Sequence, residues 1–401
     1  MNTPLTHTIP IHTNQTVPLP IDQLEQCLKP FGESRMLPRA AYVDNAVLEW
    51  ERKHVFGAGW VCVGRVPEMS APGTQAAIKA GNRGILLVRD ESGELRAFEN
   101  ICRHRGHELL ACGSHQANAK IVCPYHAWTY DLDGCLFHAR DTEDIKNAVY
   151  DELGLISIRC AEWGGWIFLN FSGDAPAFAD YIGSLDALIK NWDCQQLVVG
   201  ASHDYELQAN WKVAIENYHE CYHCSMIHPA LCEVSPPDTG GLYAGENGLF
   251  TGGWMTLVDY ADTMSFDGKS KVQAFAKLSK EQLREIHYIT LFPNFLISLH
   301  PDFVMTHRLE PLSATKTYVE CQWLFTTDAV AKPGFDASFA VDFWDTTNKE
   351  DWGAVESVQR GLASEQFIPG ILSMEEESVY QFVHLMASAY LQKPLLETHR
   401  F

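Results

Sequence analysis

Residues 99–134, ENICRHRGHELLACGSHQANAKIVCPYHAWTYDLDG, place two cysteines and two histidines in two short groups. Cys102 and His104 have the spacing C-x-H, and Cys123 and His126 have the spacing C-x-x-H. Side chains two residues apart on an extended chain point the same way, so Cys102 and His104 can face one metal. The Pro-Tyr pair inside the second group favours a turn, which returns the chain toward the same point. The stretch therefore predicts a metal centre held by two loops.

Two kinds of metal centre use two thiolates and two imidazoles. One is a tetrahedral structural zinc site. The other is a two-iron cluster in which two histidines replace two cysteines on one iron, which raises the reduction potential. The four residues by themselves leave both alternatives open.

Short β-rich runs surround these two loops. Residues 60–171 contain WVCVGRV, GILLVRD, LRAFEN and WGGWIFLNF, separated by Gly, Pro and Asp turns. These runs predict a small antiparallel sandwich that carries the loops. From Asp174 onward, alternating helical and strand-like segments predict a second domain of the α+β class with an antiparallel sheet. A helix is also predicted over residues 43–56.

The composition is that of a soluble globular protein. The 401 residues, 46% of them hydrophobic, are enough for two domains. The formal net charge of -21 disfavours nucleic acid and anionic membranes as partners. No long apolar run occurs and the N-terminus lacks the pattern of a secretion signal, so we expect a cytoplasmic protein. The irregularly spaced cysteines then indicate reduced thiols and metal ligands, not disulfides.

A second group of ligands lies in residues 210–229, NWKVAIENYHECYHCSMIHP. On one continuous helix, Glu220, His223 and His228 would share a face. Pro229 disfavours helical geometry at the preceding residue, so His228 is expected where that helix ends. Two imidazoles and a carboxylate that leave coordination positions open suit non-haem iron that activates O2, although zinc hydrolases use similar ligands.

The carboxylate ligand of such a centre is predicted at Asp351, in the sequence EDWGAVESVQRGL. On a helix, Glu350 and Glu356 fall on other faces, whereas Asp351 belongs to an otherwise apolar stripe with Val355, Val358 and Leu362. A buried carboxylate needs a partner, and iron would be that partner. The alternative is an acid near a helix N-terminus, where the helix dipole favours negative charge.

The sequences CRHRG and CPYHAWTYDLDG resemble the cluster loops of Rieske proteins. This resemblance implies a Rieske [2Fe-2S] cluster bound by the two cysteines and two histidines of the loops. Respiratory Rieske domains carry a further cysteine in each loop, whereas position 125 here is Tyr, which indicates the oxygenase branch. Cys112 and Cys135 are then expected to be free thiols.

The stretch NWKVAIENYHECYHCSMIHP resembles the mononuclear-iron motif of Rieske oxygenase large (alpha) subunits. The resemblance implies that His223, His228 and Asp351 ligate iron. It also implies that Glu220 is not a ligand and bridges toward the cluster of a neighbouring subunit. Asn217 stands one residue closer to this motif than the asparagine of ring-dihydroxylating members, and we count it with Glu220 as a catalytic residue.

Ring-dihydroxylating members usually have Asp at the position of Glu220. The Glu form, ENYHECYHC, resembles the branch that acts on quaternary ammonium compounds, namely glycine betaine, stachydrine, carnitine and choline oxygenases. The implied fold class is α+β, with an antiparallel β Rieske domain over residues 46–175. A helix-grip catalytic domain, an antiparallel sheet with helices, covers residues 176–401, and residues 1–45 form an N-terminal arm and helix that pack on it.

The resemblance implies the terminal oxygenase component of a Rieske non-haem iron monooxygenase, with a [2Fe-2S] cluster and mononuclear Fe(II), acting as a homotrimer. Electrons from NAD(P)H would arrive through a separate flavin and iron-sulfur reductase, because the chain has no convincing site for either nucleotide. The leading expectation is O2-dependent N-demethylation of a small quaternary ammonium compound such as glycine betaine. The alternatives are hydroxylation of an aromatic acid or other small molecule, choline- or carnitine-type monooxygenation, and non-catalytic electron transfer; the second metal motif speaks against the last.

A quaternary ammonium group cannot donate a hydrogen bond, so its site is expected to use aromatic faces. The candidate residues lie between the iron ligands in sequence and are Trp254, Tyr260, Tyr288, Phe292, Phe295 and Trp323. His300, His307 and Arg308 are candidate partners for a substrate carboxylate.

Overall fold

The computed structural model describes residues 16–67, 69–141, 150–243 and 247–393. Contacts divide the chain into two compact units. The first unit is Cys62–Gly173, and the second combines Met1–Val61 with Asp174–Phe401. Residues 1–15 of the predicted N-terminal arm lie outside the described residues.

Residues 46–61 belong to the second unit, whereas the sequence analysis assigns them to the Rieske domain. The Trp50 ring lies 5.7 Å from the Tyr390 ring, and the Phe56 ring lies 5.0 Å from the Trp211 ring. Large aromatic side chains dominate burial energetics, so the segment that carries them stays with the core that covers them. The boundary between the units therefore falls after this segment.

The first unit contains two sheets. Its described strands are β1 (Val61–Gly64), β2 (Thr74–Ala80), β3 (Arg83–Arg89), β4 (Leu95–Glu99), β5 (His115–Ala117), β6 (Ile121–Val122), β7 (Thr129–Tyr130), β8 (Leu136–His138), β9 (Ser157–Trp163) and β10 (Trp166–Asn170). The larger sheet has the order β1-β10-β9-β4-β3-β2-β5, and the smaller has the order β6-β7-β8. The pairings β2–β3, β3–β4 and β9–β10 are antiparallel, as expected.

Strand β3, the run GILLVRD, is buried on both faces. Leu86 and Val88 belong to an apolar cluster that also contains Cys102 and Cys123. The alternate residues of the strand belong to a second cluster. Because successive side chains of a strand point to opposite faces, this one strand supports two core layers, one of which contains both loop cysteines.

The second unit is built on one antiparallel sheet. Its described strands are β11 (Leu197–Leu207), β12 (Gly241–Leu242), β13 (Phe250–Thr256), β14 (Glu285–Leu291), β15 (Phe295–Leu299), β16 (Val304–Ser313) and β17 (Lys316–Thr326). Their order is β11-β17-β16-β15-β14-β13-β12, with antiparallel pairing throughout. The predicted α+β class with an antiparallel sheet and helices is confirmed.

The described α-helices are α1 (Ile21–Cys27), α2 (Ala40–Val43), α3 (Asn45–Glu51), α4 (Phe178–Ile182), α5 (Leu185–Ile189), α6 (Trp211–Tyr218), α7 (Cys224–Ile227), α8 (Pro229–Val234), α9 (Thr327–Val330), α10 (Ser338–Leu362) and α11 (Glu377–Tyr390). A π-helical turn follows α3 at Arg52–Phe56, so the segment predicted as helix over residues 43–56 is largely helical. Short 3-10 turns lie at Tyr150–Leu153, Lys190–Trp192, Cys194–Gln196 and Gln282–Arg284. None of the helices in the described part of the chain is both long and apolar enough to cross a membrane.

One face of helix α10 packs on the sheet. Phe343 and Trp344 of this helix share an apolar cluster with Met305 of β16 and with Trp323 and Phe325 of β17. Side chains three and four residues apart on a helix lie on the same side, so the next turns of α10 continue along the same surface. The helix therefore carries Asp351 toward the elements that cover the sheet.

A buried ion pair ties helix α6 to its neighbours. Lys212 Nζ lies 2.6 Å from Glu51 Oε1, and both side chains are fully buried. The Trp211 indole donates to the same carboxylate at 2.8 Å, and the Tyr390 hydroxyl also donates to it. These bonds satisfy a charge that is costly to bury alone, and they join α3, α6 and α11.

We expect Lys212→Met to lower the free energy of unfolding by about 3–5 kcal/mol, because it leaves the Glu51 carboxylate buried without its cation. Urea denaturation followed by circular dichroism measures the loss. The double variant Glu51→Gln/Lys212→Met is the control, and it should recover much of the loss because neither charge remains. A Lys212→Met protein as stable as the parent would contradict this role.

Candidate metal centres

The two cysteine loops lie at the ends of short strands in the first unit. Cys102 and His104 follow β4, and Cys123 and His126 lie between β6 and β7. The two loops share one backbone pattern, in which the cysteine N–H donates to the carbonyl five residues later at 2.8 Å. The residue four positions after each cysteine donates back to the cysteine carbonyl. The loops are therefore two copies of one local structure.

In both loops, the residue whose N–H donates to the cysteine carbonyl has a left-handed backbone conformation. Gly106 fills it in the first loop with φ 74°, and Ala127 fills it in the second with φ 58°. A glycine adopts this conformation without steric cost, whereas an alanine does so rarely. The conformation of each loop is thus set by its backbone pairing, which presents the cysteine and histidine side chains.

The thiols and imidazoles of the four predicted ligands face different surroundings. Cys102 and Cys123 are each only 2% exposed, while His104 is exposed and His126 half-buried. The rings of His104 and His126 lie 4.8 Å apart, and the His104 ring stacks on Trp128. The structure therefore brings the four side chains together as a buried sulfur pair and an outer nitrogen pair.

This arrangement favours one of the two alternatives for the centre. The two sulfurs lie in the core, and the two imidazole rings, whose centroids are 4.8 Å apart, lie outside it. A cluster with sulfur ligands on one iron and nitrogen ligands on the other needs two separate pairs, and the residues present fit that group.

Tyr130 is a loop partner that the sequence analysis did not identify. Its hydroxyl lies 3.2 Å from Cys102 Sγ and accepts the backbone N–H of Arg103 at 3.0 Å. Burial, and then the bond to Cys102, raise the pKa of Tyr130. In the sequence this residue is one more aromatic of a short strand, so only the fold reveals that it meets a cysteine sulfur.

The second ligand group does not lie on one helix, and the predicted shared helical face is wrong. Helix α6 ends at Tyr218, and α7 begins only at Cys224. Glu220 lies in the turn between them, where its carboxylate accepts the backbone N–H of His223 at 3.0 Å. That bond replaces a helical one. His228 caps the end of α7, and α8 starts at Pro229, as the proline predicts.

His223, His228 and Asp351 converge nevertheless, with one ligand atom of each within 4.8 Å of the others. The two Nε2 atoms lie 3.1 Å apart. The Asp351 Oδ1 atom lies 2.9 Å from His228 Nε2 and 3.2 Å from His223 Nε2. Two imidazoles and one carboxylate in this geometry fit a mononuclear iron with open positions.

Each imidazole also contacts a second carboxylate through its other nitrogen. His223 Nδ1 lies 2.5 Å from Glu220 Oε1, and His228 Nδ1 lies 2.8 Å from Glu350 Oε2. Helical spacing predicts Glu350 on a different face from Asp351 and gives it no role. In the structure its carboxylate instead contacts His228, a predicted ligand. Glu356 does lie elsewhere, where it accepts the backbone N–H of Gln208.

Protonation of this group follows from the same contacts. Burial opposes a charged His223, but hydrogen bonds with Asp351 and Glu220 outweigh it and raise the pKa to about 9. Burial would raise the pKa of Asp351, yet the bonds with both imidazoles bring it below its usual value. Without a metal, the carboxylate is thus stabilised as an anion by the imidazoles that surround it.

Asp351 lies near the middle of the 25-residue helix α10, which removes the alternative of an acid at a helix N-terminus. Its predicted apolar stripe is correct for Val355 and Leu362, which are 1% and 4% exposed. It is wrong for Val358, which is 50% exposed. Near its end the helix therefore buries Val355, Gln359 and Leu362 and exposes Val358, which hydrophobic spacing alone did not predict.

A disulfide joins Cys221 and Cys224 on either side of His223. The sequence analysis expected reduced thiols, so this pair is a correction. The turn between α6 and α7 brings the two Cα atoms to 4.9 Å, a separation that a disulfide can span. Cys112 is an exposed free thiol, as expected, and Cys135 is exposed as well.

A cavity of about 560 Å³ adjoins the three converging residues. Its carboxylates belong to Glu220, Asp238, Asp351 and Glu375, and the described wall contains no Lys or Arg. Burial lowers the pKa of His307, another wall residue, to about 4, so this ring is neutral at pH 7. Away from His223 and His228, the described wall thus offers negative charge and uncharged rings.

Five aromatic side chains also line the cavity: Tyr218, Tyr222, Trp254, Tyr288 and Trp344. Trp254 and Tyr288 are among the predicted aromatic residues. The other four predicted aromatics do not line it; Phe292, Phe295 and Trp323 are core residues, and Tyr260 is 54% exposed. Of the predicted carboxylate partners only His307 lines the cavity, since His300 is buried elsewhere and Arg308 is paired with Glu320 at 2.9 Å.

Three lining aromatics were missed, although the sequence contains a signal for each. Tyr218 and Tyr222 stand within the second ligand motif itself. Trp344 precedes Asp351 by two helical turns, a spacing that places both side chains on one face. Asn217, predicted as catalytic, also lines the cavity from α6.

Two family models match the chain. The Rieske [2Fe-2S] domain matches residues 59–149, and the ring hydroxylating alpha subunit (catalytic domain) matches residues 194–392. The first match contains the four predicted cluster ligands, and the second contains the three predicted iron ligands. Both expected cofactor domains are confirmed.

Among similar curated proteins, the glycine betaine monooxygenase oxygenase subunit of Pseudomonas aeruginosa (strain UCBPP-PA14) is 30% identical over 379 residues, with 87% of each chain covered. The carnitine monooxygenase oxygenase subunit of Escherichia coli (strain K12) is 31% identical and covers 84% of this chain and 87% of its own. A solved structure of a quaternary ammonium Rieske monooxygenase superimposes with a TM-score of 0.76. That structure gave insights into carnitine oxidation by gut microbiota and into inter-subunit electron transfer. It is 26% identical, and the match covers 94% of this chain and 100% of that one.

We expect Cys102→Ser to abolish the visible absorption of the cluster while mononuclear iron still loads, because serine removes a sulfur ligand from the first unit alone. Absorption spectra, acid-labile sulfide and iron content measure the outcome. Cys112→Ser is the matched control, since it removes an exposed thiol from the same stretch and should leave the spectrum unchanged. An unaltered spectrum in Cys102→Ser would rule out the assignment of this ligand.

Proposed function

Because the chain belongs to the Rieske non-haem iron oxygenase alpha subunits, in the branch with glycine betaine and carnitine monooxygenases, we propose that it N-demethylates a small quaternary ammonium compound. Glycine betaine is the leading substrate. Within this proposal Cys102, His104, Cys123 and His126 hold the cluster. His223, His228 and Asp351 hold the mononuclear iron.

The composition of the cavity wall is the observation that carries this proposal. Five aromatic side chains and four carboxylates line it, and the described wall contains neither Lys nor Arg. Aromatic faces and nearby negative charge attract a cation that cannot donate a hydrogen bond. An aromatic acid has no cationic head, so these aromatic faces and carboxylates offer it no comparable attraction. The same wall therefore disfavours the alternative substrate class.

The chemistry divides between the cofactors and the chain. When bound, the cluster supplies single electrons and the mononuclear iron activates O2 for insertion into a C–H bond. The cavity holds the ammonium head beside the three converging ligands, so that an N-methyl group is the nearest C–H. Hydroxylation of that methyl gives a carbinolamine, which loses formaldehyde and a proton to leave the tertiary amine. The hydroxylation consumes one O2, one NAD(P)H and one proton and forms one water, and the collapse of the carbinolamine returns the proton.

Electrons from NAD(P)H are proposed to arrive through a separate flavin and iron-sulfur reductase, with the oxygenase acting as a homotrimer. Glu220 is proposed to bridge toward the cluster of a neighbouring subunit. Its carboxylate already holds the His223 Nδ1 atom at 2.5 Å, so one side chain would join the ligand to the electron path. Asn217 is proposed as a second catalytic residue on the cavity wall.

We expect O2 uptake by the holoenzyme and its reductase to depend on a trimethylammonium substrate and to yield one formaldehyde per O2. Glycine betaine, carnitine, choline and benzoate are compared, with formaldehyde and amine products quantified. The isostere 3,3-dimethylbutanoate (tert-butylacetate) is the matched control for glycine betaine, since it keeps the shape and the carboxylate and replaces the cationic nitrogen with carbon. Equal turnover of tert-butylacetate, or ring hydroxylation of benzoate without formaldehyde release, would reject the proposal.

We expect Glu220→Ala to keep both metals at saturating iron and to lose most of its steady-state turnover, because the bridge between cluster and iron is removed. Metal content, cluster absorption and turnover are measured on the same sample. Asp342→Asn is the control, since it removes an exposed carboxylate that does not line the cavity. A Glu220→Ala enzyme that keeps its steady-state rate would exclude the bridging role.

A further inference from the structure

Glu350 is a carboxylate beside the iron site that none of the proposed roles uses. Its Oε2 atom lies 2.8 Å from Nδ1 of His228, while Nε2 of the same ring lies 2.9 Å from Asp351 Oδ1. The His228 side chain is only 2% exposed, and that of Glu350 is 35% exposed. One imidazole is thus held between two neighbouring residues of helix α10.

We propose that Glu350 is a positioning residue for the iron site, acting through His228. A carboxylate that accepts the Nδ1–H of an imidazole fixes the ring so that Nε2 carries the free lone pair for a metal. It also fixes the ring orientation and raises the basicity of the ligand nitrogen. The proposal rests on the proposed role of His228 as an iron ligand and adds the residue that orients it.

The site is built with the same arrangement on both imidazoles. Glu220 contacts Nδ1 of His223, just as Glu350 contacts Nδ1 of His228. The two contacts differ in origin, because Glu220 is three residues from its histidine and Glu350 is 122 residues from its own. Glu350 therefore couples the loop that ends α7 to helix α10, through a contact next to the one that Asp351 makes.

Neighbouring acids of helix α10 have other partners. Asp345 pairs with Lys349 and accepts the Tyr205 hydroxyl at 2.8 Å. Glu356 accepts the backbone N–H of Gln208, the residue that follows β11. Glu350 thus differs from these neighbours in contacting a ring that faces the proposed metal.

The test measures metal affinity, which does not depend on the substrate or on the reductase. Protein with an intact cluster and an emptied mononuclear site is titrated anaerobically with Fe(II), and with Co(II) to obtain the visible spectrum of the bound ion. We expect Glu350→Ala to weaken Fe(II) binding by about 10- to 100-fold and to alter the Co(II) spectrum. Glu350→Gln keeps an acceptor oxygen, so its loss should be smaller.

Two comparisons make the outcome decisive. Asp342→Asn, an exposed acid on the same helix, should bind Fe(II) like the parent, and circular dichroism confirms that each variant folds. Parental affinity in Glu350→Ala would overturn the proposal, and so would equal losses in the alanine and glutamine variants. A failure of the demethylation assay with normal metal binding in the parent would instead count against the substrate proposal alone.

Discussion

The second unit carries one half-buried carboxylate, 18% exposed, whose charge must be neutralised. Asp351 projects from the middle of a long helix, and its partners in the described structure are the Nε2 atoms of His223 and His228. Burial of an unpaired carboxylate costs several kcal/mol. This cost disfavours any structure in which α10 does not meet His223 and His228. The same requirement that stabilises the contact assembles a ligand set, since a divalent ion satisfies three such donors better than a shared proton does.

The turn between α6 and α7, which carries His223, is held by polar interactions before it and within it. At its start, helix α6 is anchored by the buried pair of Lys212 and Glu51. Within it, Glu220 bonds the backbone and the ring of His223. A break in a helix normally exposes carbonyl and N–H groups, and here a side chain takes the place of the missing bonds. Helix α6 ends before both histidines, and the Glu220 carboxylate takes the His223 N–H that a further helical turn would use.

The sequence predicted which side chains come together better than it predicted the geometry that unites them. Close spacing singled out both histidines and an acid on a largely apolar stripe singled out Asp351, and these three converge. The predicted continuous helix was wrong because propensity cannot register that Glu220 bonds its own turn. Glu350 was missed because its partner His228 is 122 residues away in the sequence. Tyr130 was missed because it is one aromatic residue among several in short strands. The short β-rich runs did predict antiparallel strands around the loops, and the first unit has two sheets with antiparallel pairing.

Charge around the cavity also limits which cations it can favour. Glu220 and Asp351 are already bonded to the imidazoles, and Asp238 and Glu375 are exposed, so no buried carboxylate of the described wall remains for a direct ion pair. A primary ammonium is compact and strongly hydrated, and leaving water without such a pair would cost it more than aromatic faces return. A quaternary ammonium spreads its charge over methyl groups and loses little hydration on entering. On the proposed function, the wall would therefore select by the cost of desolvation, which favours a methyl C–H, not an N–H, beside the three converging ligands.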